Sequence, residues 1–274
     1  MHGWGRERLE VEEASLKAPP PKRKKRKAIK IADHAKTYRT AVLCEQASRN
    51  VLHHDENKAM AFVAACAARP DFTQLERVLA APWLPYVKAR PRWGAKLISQ
   101  IISNRGGQVA LDLALANERG AQLFELKTVV RSAKVFRGRY VLFRAKVSAV
   151  IDRPGAHQLE LAETTLRAEN ITRRWTRSQA YKQRRRGSSG APVVTRDPKG
   201  RTRYKIVVES HNVSTETQRR LTVTSKRASK VKEGTEGLFL VRFEGLTSPV
   251  NPETGAVTGR AALAGFFALQ EGLP

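Results

Sequence analysis

The sequence predicts an α+β protein with a helical N-terminal half followed by antiparallel β meanders. Before Gly120, apolar residues recur at three- to five-residue intervals, as they do on the buried face of a helix. After Gly120, apolar and polar residues alternate, and valine, leucine, phenylalanine and threonine become frequent, as is typical of strands. Hydrophobic residues make up 41% of the chain, which is enough to form a core.

Helix signals in the first half are separated by proline and glycine. The expected helices span residues 28–54, 56–68, 72–81, 95–103 and 108–119. Asp55 and Asp71 are expected to cap the second and third of these helices, because an aspartate side chain accepts from free backbone N–H groups. The second ends before Pro70, and Gly120 closes the last one in the C′ position.

Strand signals in the second half form two groups of three. The expected strands span residues 123–136, 139–151, 158–168, 204–213, 218–225 and 238–246. Turns are expected at Arg137-Gly138 and at Arg153-Pro154-Gly155, and turn residues recur in the tail at Asn251-Pro252. Each group therefore predicts an antiparallel meander.

Composition divides the chain into five segments. Residues 1–27 form a basic, proline-rich arm, and residues 28–107 form a helical region. Residues 108–172 contain a helix plus an antiparallel sheet, residues 173–200 a basic flexible loop, and residues 201–274 a second β-rich segment and tail.

The charge of the chain indicates the chemistry of its partner. There are 51 Lys and Arg residues against 25 Asp and Glu residues, a formal net charge of +26. Such an excess opposes compaction by self-repulsion, so we expect a polyanionic partner, RNA above all. No apolar run is long enough to span a membrane, and the first residues lack the apolar core of a secretory signal. We therefore expect no membrane partner and no secretion.

The first candidate nucleic-acid site is the basic run in the N-terminal arm. Its residues are Lys22, Arg23, Lys24, Lys25, Arg26 and Lys27. The preceding Pro19-Pro20-Pro21 favours an extended polyproline backbone, which would hold the run away from the folded body. Six phosphate contacts would give a log–log salt slope of about −5. The same run resembles a nuclear localisation signal, and a solvated, nonspecific tail is the third interpretation.

The second candidate site mixes aromatic and basic side chains without any acid. Its residues are Arg173, Arg174, Trp175, Arg177, Tyr181, Lys182, Arg184, Arg185 and Arg186. Arginine pairs with phosphate through two hydrogen bonds, and aromatic faces stack on unpaired bases. The alternative is that Trp175 anchors the loop to the core and the arginines are only solvated.

The sequence predicts no metal site. Cys44 and Cys66 lie in helical, alanine-rich surroundings and are expected to be two small buried hydrophobic residues. A disulfide between them is the alternative. No second cysteine pair has zinc-ligand spacing, and the histidines do not cluster beside the cysteines.

The sequence also predicts no cofactor and no catalytic residues. No nucleophile elbow, metalloprotease motif or phosphate-binding loop occurs. Gly106-Gly107 precedes a helix, which is consistent either with an anion bound at the helix N-terminus or with a simple helix break. Asp112 and Glu118 are too far apart to form a catalytic carboxylate pair.

A run of short motifs after the last helix resembles the cystatin family, particularly plant cystatins. The order is a helix, the strand Leu123-Phe124-Glu125-Leu126, a hairpin around Lys134-Val135-Phe136-Arg137-Gly138, and a third strand from Leu159 to Leu166. The resemblance covers residues 109–167 and implies a helix cradled by an antiparallel sheet.

Two features of the cystatin inhibitory wedge differ in this chain. Lys134 stands where the family has glutamine, and Leu166-Arg167-Ala168 stands where it has Pro-Trp. We therefore expect the fold without inhibition of papain-like proteases.

Together these observations predict a noncatalytic RNA-binding component of a ribonucleoprotein or ribosome-like assembly, in contact with other proteins. The expected location is nuclear, nucleolar or ribosome-associated, organellar ribosomes included. A cystatin-like protease inhibitor or protein-interaction module is the first alternative. A viral capsid protein with a genome-binding basic arm is the second, although the helical region after the arm argues against it.

Overall fold

The structure, a computed structural model, describes residues 31–153, 156–174, 193–196, 202–225 and 231–269. Helices dominate up to Glu118, and strands dominate from Tyr140 onward. The α+β class is therefore confirmed. The N-terminal arm, residues 1–27, lies outside the described residues.

The helices are bounded as follows. They are α1 (Ile31–Lys36), α2 (Ala41–Leu52), α3 (Glu56–Ala67), α4 (Leu84–Ala89), α5 (Pro91–Asn104), α6 (Val109–Glu118) and α7 (Leu126–Arg131), with a 3₁₀ turn at Leu75–Arg77. The single helix expected over residues 28–54 is two helices. The break comes at Thr40, whose hydroxyl oxygen caps α2 by accepting from the Leu43 N–H at 3.2 Å.

One of the two predicted caps is correct. The Asp55 carboxylate accepts from the Lys58 N–H at 2.9 Å and caps α3. The prediction for Asp71 was wrong, because its carboxylate accepts from the Ala41 N–H at 2.7 Å and so satisfies the start of α2. The helix expected over residues 72–81 is reduced to the 3₁₀ turn.

A buried carboxylate organises the core of the helical layer. Glu45 and Trp83 are both 0% exposed. Glu45 accepts from the Trp83 indole N–H at 2.6 Å and from the guanidinium groups of Arg49 and Arg77, each at 2.6 Å. These bonds satisfy a charge that burial would otherwise penalise heavily.

The strands form one sheet. They are β1 (Leu123–Glu125), β2 (Tyr140–Arg153), β3 (Ala156–Arg174), β4 (Val193–Arg196), β5 (Thr202–Ser225), β6 (Glu236–Leu246) and β7 (Val257–Ala268). The order β2-β3-β5-β7-β6 closes into a barrel because β6 also pairs with β2. Only β5 and β7 are parallel within this barrel. The two expected meanders are thus parts of a single five-stranded barrel, the architecture of the OB-fold.

The strand expected over residues 123–136 was wrong. Its first residues form the short β1, parallel to the start of β2, and the next six form α7. Leu126, Val129 and Val130 are spaced to share one helix face, and they are buried in the barrel core. The helix-on-meander arrangement expected from the cystatin resemblance is therefore not formed, because α7 instead closes one end of the barrel.

The barrel strands next to the helices are buried on both faces. Along β6, Phe239 and Val241 point into the barrel, whereas Leu238 and Leu240 join the core of the helical layer. In β2, Leu142 also packs against the helices. A strand covered on both sides is apolar throughout, which explains the unbroken apolar run from Leu238 to Val241.

The second and third barrel strands continue far beyond the barrel. Their pairing runs from Thr164 opposite Glu216 to Arg174 opposite Lys205, and β4 joins the outer end of β5 at Val193. We call residues 164–174, 193–196 and 202–216 the extended hairpin. At about 3.3 Å per residue, its paired strands are roughly 30 Å long. Parts of the flexible loop expected over residues 173–200 are therefore strand.

Candidate nucleic-acid interface

A buried glutamate fixes one strand of the extended hairpin at its base. Glu163 is 3% exposed and accepts from the Thr217 hydroxyl at 2.7 Å and from the Arg219 guanidinium. Burial raises the pKa of Glu163, and these two donors only partly oppose the rise. The strands of the hairpin are therefore held together where they leave the barrel.

A second glutamate ties the hairpin to the barrel wall. Glu236, at the start of β6, accepts from Arg144 Nε at 2.7 Å, from the Thr164 hydroxyl at 3.0 Å and from the Ser214 hydroxyl. Burial alone would raise the pKa of Glu236, but these hydrogen bonds outweigh it and hold the pKa below its ordinary value. Thr164 and Ser214 come from opposite strands, so both strands of the hairpin are anchored.

An open groove of about 820 Å³ lies between β5 and the loop that joins β6 to β7. Gln218 and Arg220 form its strand side, and Arg220 is exposed without an acidic partner among the described residues. The loop side is braced internally, because the Asn251 side-chain oxygen accepts from the Glu253 and Thr254 N–H groups at 2.9 and 3.1 Å. The turn expected at Asn251-Pro252 is thereby confirmed, and it gives the groove a well-defined wall.

A cluster of exposed basic residues surrounds the turn between α7 and β2. We call it the basic turn; it comprises Lys127, Arg131, Lys134, Arg137 and Arg139. The Gly138 N–H donates to the Phe243 carbonyl at 2.7 Å, which places the turn at the end of the barrel where β6 finishes and the groove loop begins. The hairpin expected around Lys134-Val135-Phe136-Arg137-Gly138 is instead this turn, which follows a helix rather than a strand.

Sequence reasoning missed the basic turn as a charged surface. The available signal was the absence of any acidic residue between Glu125 and Asp152. The groove gave no such signal, because its two sides come from distant parts of the chain.

The predicted site residues fall mostly outside the described residues. These are the six basic residues of the N-terminal arm, together with Trp175, Arg177, Tyr181, Lys182, Arg184, Arg185 and Arg186. Arg173 and Arg174 are described at the level of the backbone, where they pair with Ile206 and Lys205 at the outer end of β3. The chain continues from Arg174 directly into the remainder of the predicted site.

The two cysteines are joined. Cys44 in α2 and Cys66 in α3 form a disulfide with a Cα–Cα distance of 5.7 Å, and both are 0% exposed. The expectation of two separate buried thiols was therefore wrong, since α2 and α3 pack closely enough for the side chains to meet. Among the residues that the structure describes, no three metal-ligating side chains cluster.

Comparison with protein-family models and with curated proteins finds no match to this chain. Within the described residues, no helix has both the length and the apolar character needed to cross a membrane.

Proposed function

We propose that the protein is a noncatalytic, single-strand nucleic-acid-binding protein that acts on RNA as a component of a ribonucleoprotein assembly. The observation that carries this proposal is the extended hairpin, which joins a closed five-stranded barrel to the acid-free basic segment starting at Arg173. Barrels of this architecture bind oligonucleotides and oligosaccharides with the face of their second and third strands, by analogy at the level of the fold.

The charge of the chain favours a nucleic acid over an oligosaccharide as the ligand. The chain carries a net charge of +26, whereas a neutral oligosaccharide gains nothing from so many cations. Arg220 lines the groove, and the five residues of the basic turn lie where β6 finishes and the groove loop begins. A strand bound along the groove would therefore meet cations on several sides.

The expected single-strand preference follows from the shape of this surface. The groove is open, and the Trp175 and Tyr181 side chains in the basic segment would stack only on unpaired bases. A duplex presents its phosphates but hides its base faces, so it would use the charges without the aromatic contacts.

The test is a binding titration of the full chain with a generic single-stranded RNA and with the matching duplex. We expect tighter binding to the single strand, and a loss of roughly 10³ in affinity between about 50 and 200 mM salt. Failure to bind single-stranded RNA at the lower salt would overturn the proposal.

Two single-charge variants separate the groove from general attraction. Arg220→Gln removes a cation from the groove, whereas Arg39→Gln removes an exposed cation of the turn between α1 and α2, in the helical layer. We expect the first variant to bind RNA several-fold more weakly and the second to bind like the wild type. Equal effects would show that the groove is not the binding surface.

A further inference from the structure

A separate cavity lies between the start of α6 and the base of the extended hairpin. Its volume is about 340 Å³, within the range of small-molecule sites. Leu111, Phe143 and Leu166 supply apolar surface, and Leu111 is 73% exposed at the rim. Thr164 and Thr165, the first residues of the hairpin, form another wall. A strand that follows the hairpin toward the barrel would pass this opening.

The cavity is acidic in a strongly basic protein. Glu125 and Glu163 both line it, while the one arginine in its wall, Arg144, already donates to Glu236. Glu163 is held by Thr217 and Arg219, whereas the side chain of Glu125 makes no capping hydrogen bond to α7 and has no ion-pair partner among the described residues. Burial is the main cause of the raised pKa of Glu163, and the charge of Glu125 adds to it, so the two carboxylates are close.

This chemistry excludes a phosphate and favours a group rich in N–H donors. A carboxylate repels phosphate but accepts two parallel hydrogen bonds from adjacent donors. The backbone at the start of α6 supplies the complementary groups. The Gln108 side chain makes no capping hydrogen bond, so N–H groups of the first turn remain for an acceptor on the ligand.

We propose that this cavity receives one unpaired base of the bound strand, and that it takes guanine in preference to uracil, with Glu125 as the acceptor for the base edge. The inference rests on the proposed function, because it assumes that a single strand lies along the hairpin.

The preference follows from the edges of the bases. Guanine presents its ring N–H and its amino group side by side, which matches the two oxygens of a carboxylate. Uracil presents one N–H between two carbonyl oxygens, and both of these repel a carboxylate. Adenine and cytosine each place an amino group beside an acceptor nitrogen and are intermediate. A paired set of hydrogen bonds to one base edge changes affinity about tenfold or more.

The probes are a 12-nucleotide oligouridine RNA and the same RNA with one central guanosine. We expect the wild-type chain to bind the guanosine-containing strand about tenfold more tightly. Glu125→Gln should bind both strands equally, since an amide lacks the second acceptor oxygen. Ala110→Phe should do the same by filling the cavity from an exposed helix position. Glu160→Gln removes an exposed carboxylate of β3 outside the cavity and should keep the preference.

Each outcome decides the matter. Equal binding of the two strands by the wild type, or a preference that survives in Glu125→Gln, would overturn the cavity assignment while the proposed function stands. Absence of binding to either strand would overturn the proposed function and the cavity assignment with it. Melting temperatures of the variants close to that of the wild type would show that a lost preference is not a loss of folding.

Discussion

The Glu236 carboxylate accepts hydrogen bonds from three different strands, and its ionised form is the better acceptor for them. Arg144, Thr164 and Ser214 all donate to one of its carboxylate oxygens. Because a charged acceptor strengthens each bond, the folded state stabilises the carboxylate and lowers its pKa. Protonation would therefore loosen the base of the extended hairpin before it affects the barrel core.

Glu236→Gln should lower the free energy of unfolding at neutral pH by about 1–3 kcal/mol, because three donors lose a charged acceptor. A lowered pKa in the folded state means that this contribution is complete above the ordinary value of 4.5 and is lost as pH falls through the folded-state pKa. The difference between wild type and variant, measured by urea unfolding at several pH values, should therefore shrink below pH 4.5.

Glu160→Gln is the matched control for this prediction. Glu160 lies on the neighbouring β3 but is exposed, so the substitution should change the free energy of unfolding by less than about 0.5 kcal/mol. A Glu236→Gln deficit that stays the same from neutral to acidic pH would show that the charge of Glu236 is not what anchors the hairpin.

At the scale of elements, α2 and α3 are joined by both packing and a covalent bond. The disulfide between Cys44 and Cys66 closes a loop with a sequence separation of 22. A cross-link of this span restricts the unfolded chain and stabilises the fold by about 3 kcal/mol. Around it, Ala35 and Phe62 complete a small apolar cluster beside the main core.

The double variant Cys44→Ala, Cys66→Ala should unfold with about 3 kcal/mol less free energy than the oxidised wild type. Adding a reductant should lower the melting temperature of the wild type toward that of the variant, and should leave the variant unchanged. RNA affinity should stay the same in both, since these helices lie apart from the barrel face. A wild-type melting temperature that does not change when reductant is added would mean that the Cys44–Cys66 disulfide does not form in solution.

The sequence predicts elements well where the stabilising contacts are local. Asp55 and Gly120 mark helix ends because a cap needs only its nearest neighbours. The prediction was wrong for residues 126–131. Valine favours strands, but these residues form a helix because α7 buries one of its faces against the end of the barrel. Closure of the barrel was also unpredictable, because the parallel pairing of β5 with β7 depends on contacts far apart in the chain.

The candidate site follows the same division. Charge and aromatic content in the sequence point to the N-terminal run and to the segment after Arg173 without any structure. The groove and the cavity depend on how distant segments meet. Arg220 faces the loop around Asn251, and Glu125 lies near Glu163, and no local pattern predicts either meeting.

The charge of the whole molecule has a measurable consequence for binding. Each phosphate neutralised by a lysine or arginine releases counterions, and for single strands the log–log salt slope is about 0.7 per contact. The two predicted basic segments should therefore make separate, additive contributions to the salt slope, provided that both contact the same RNA.

Replacing all six residues from Lys22 to Lys27 with glutamine should reduce the magnitude of the salt slope by about 4. Replacing Arg184, Arg185 and Arg186 with glutamine should reduce it by about 2, and the combined variant by the sum of the two. The measurement is RNA affinity at several salt concentrations for the wild type and the three variants. We expect unchanged melting temperatures, because exposed charges contribute little to folding. A slope unaffected by the first replacement would identify the N-terminal run as an import signal or a solvated tail. A slope unaffected by the second would remove the basic segment after Arg173 from the RNA interface.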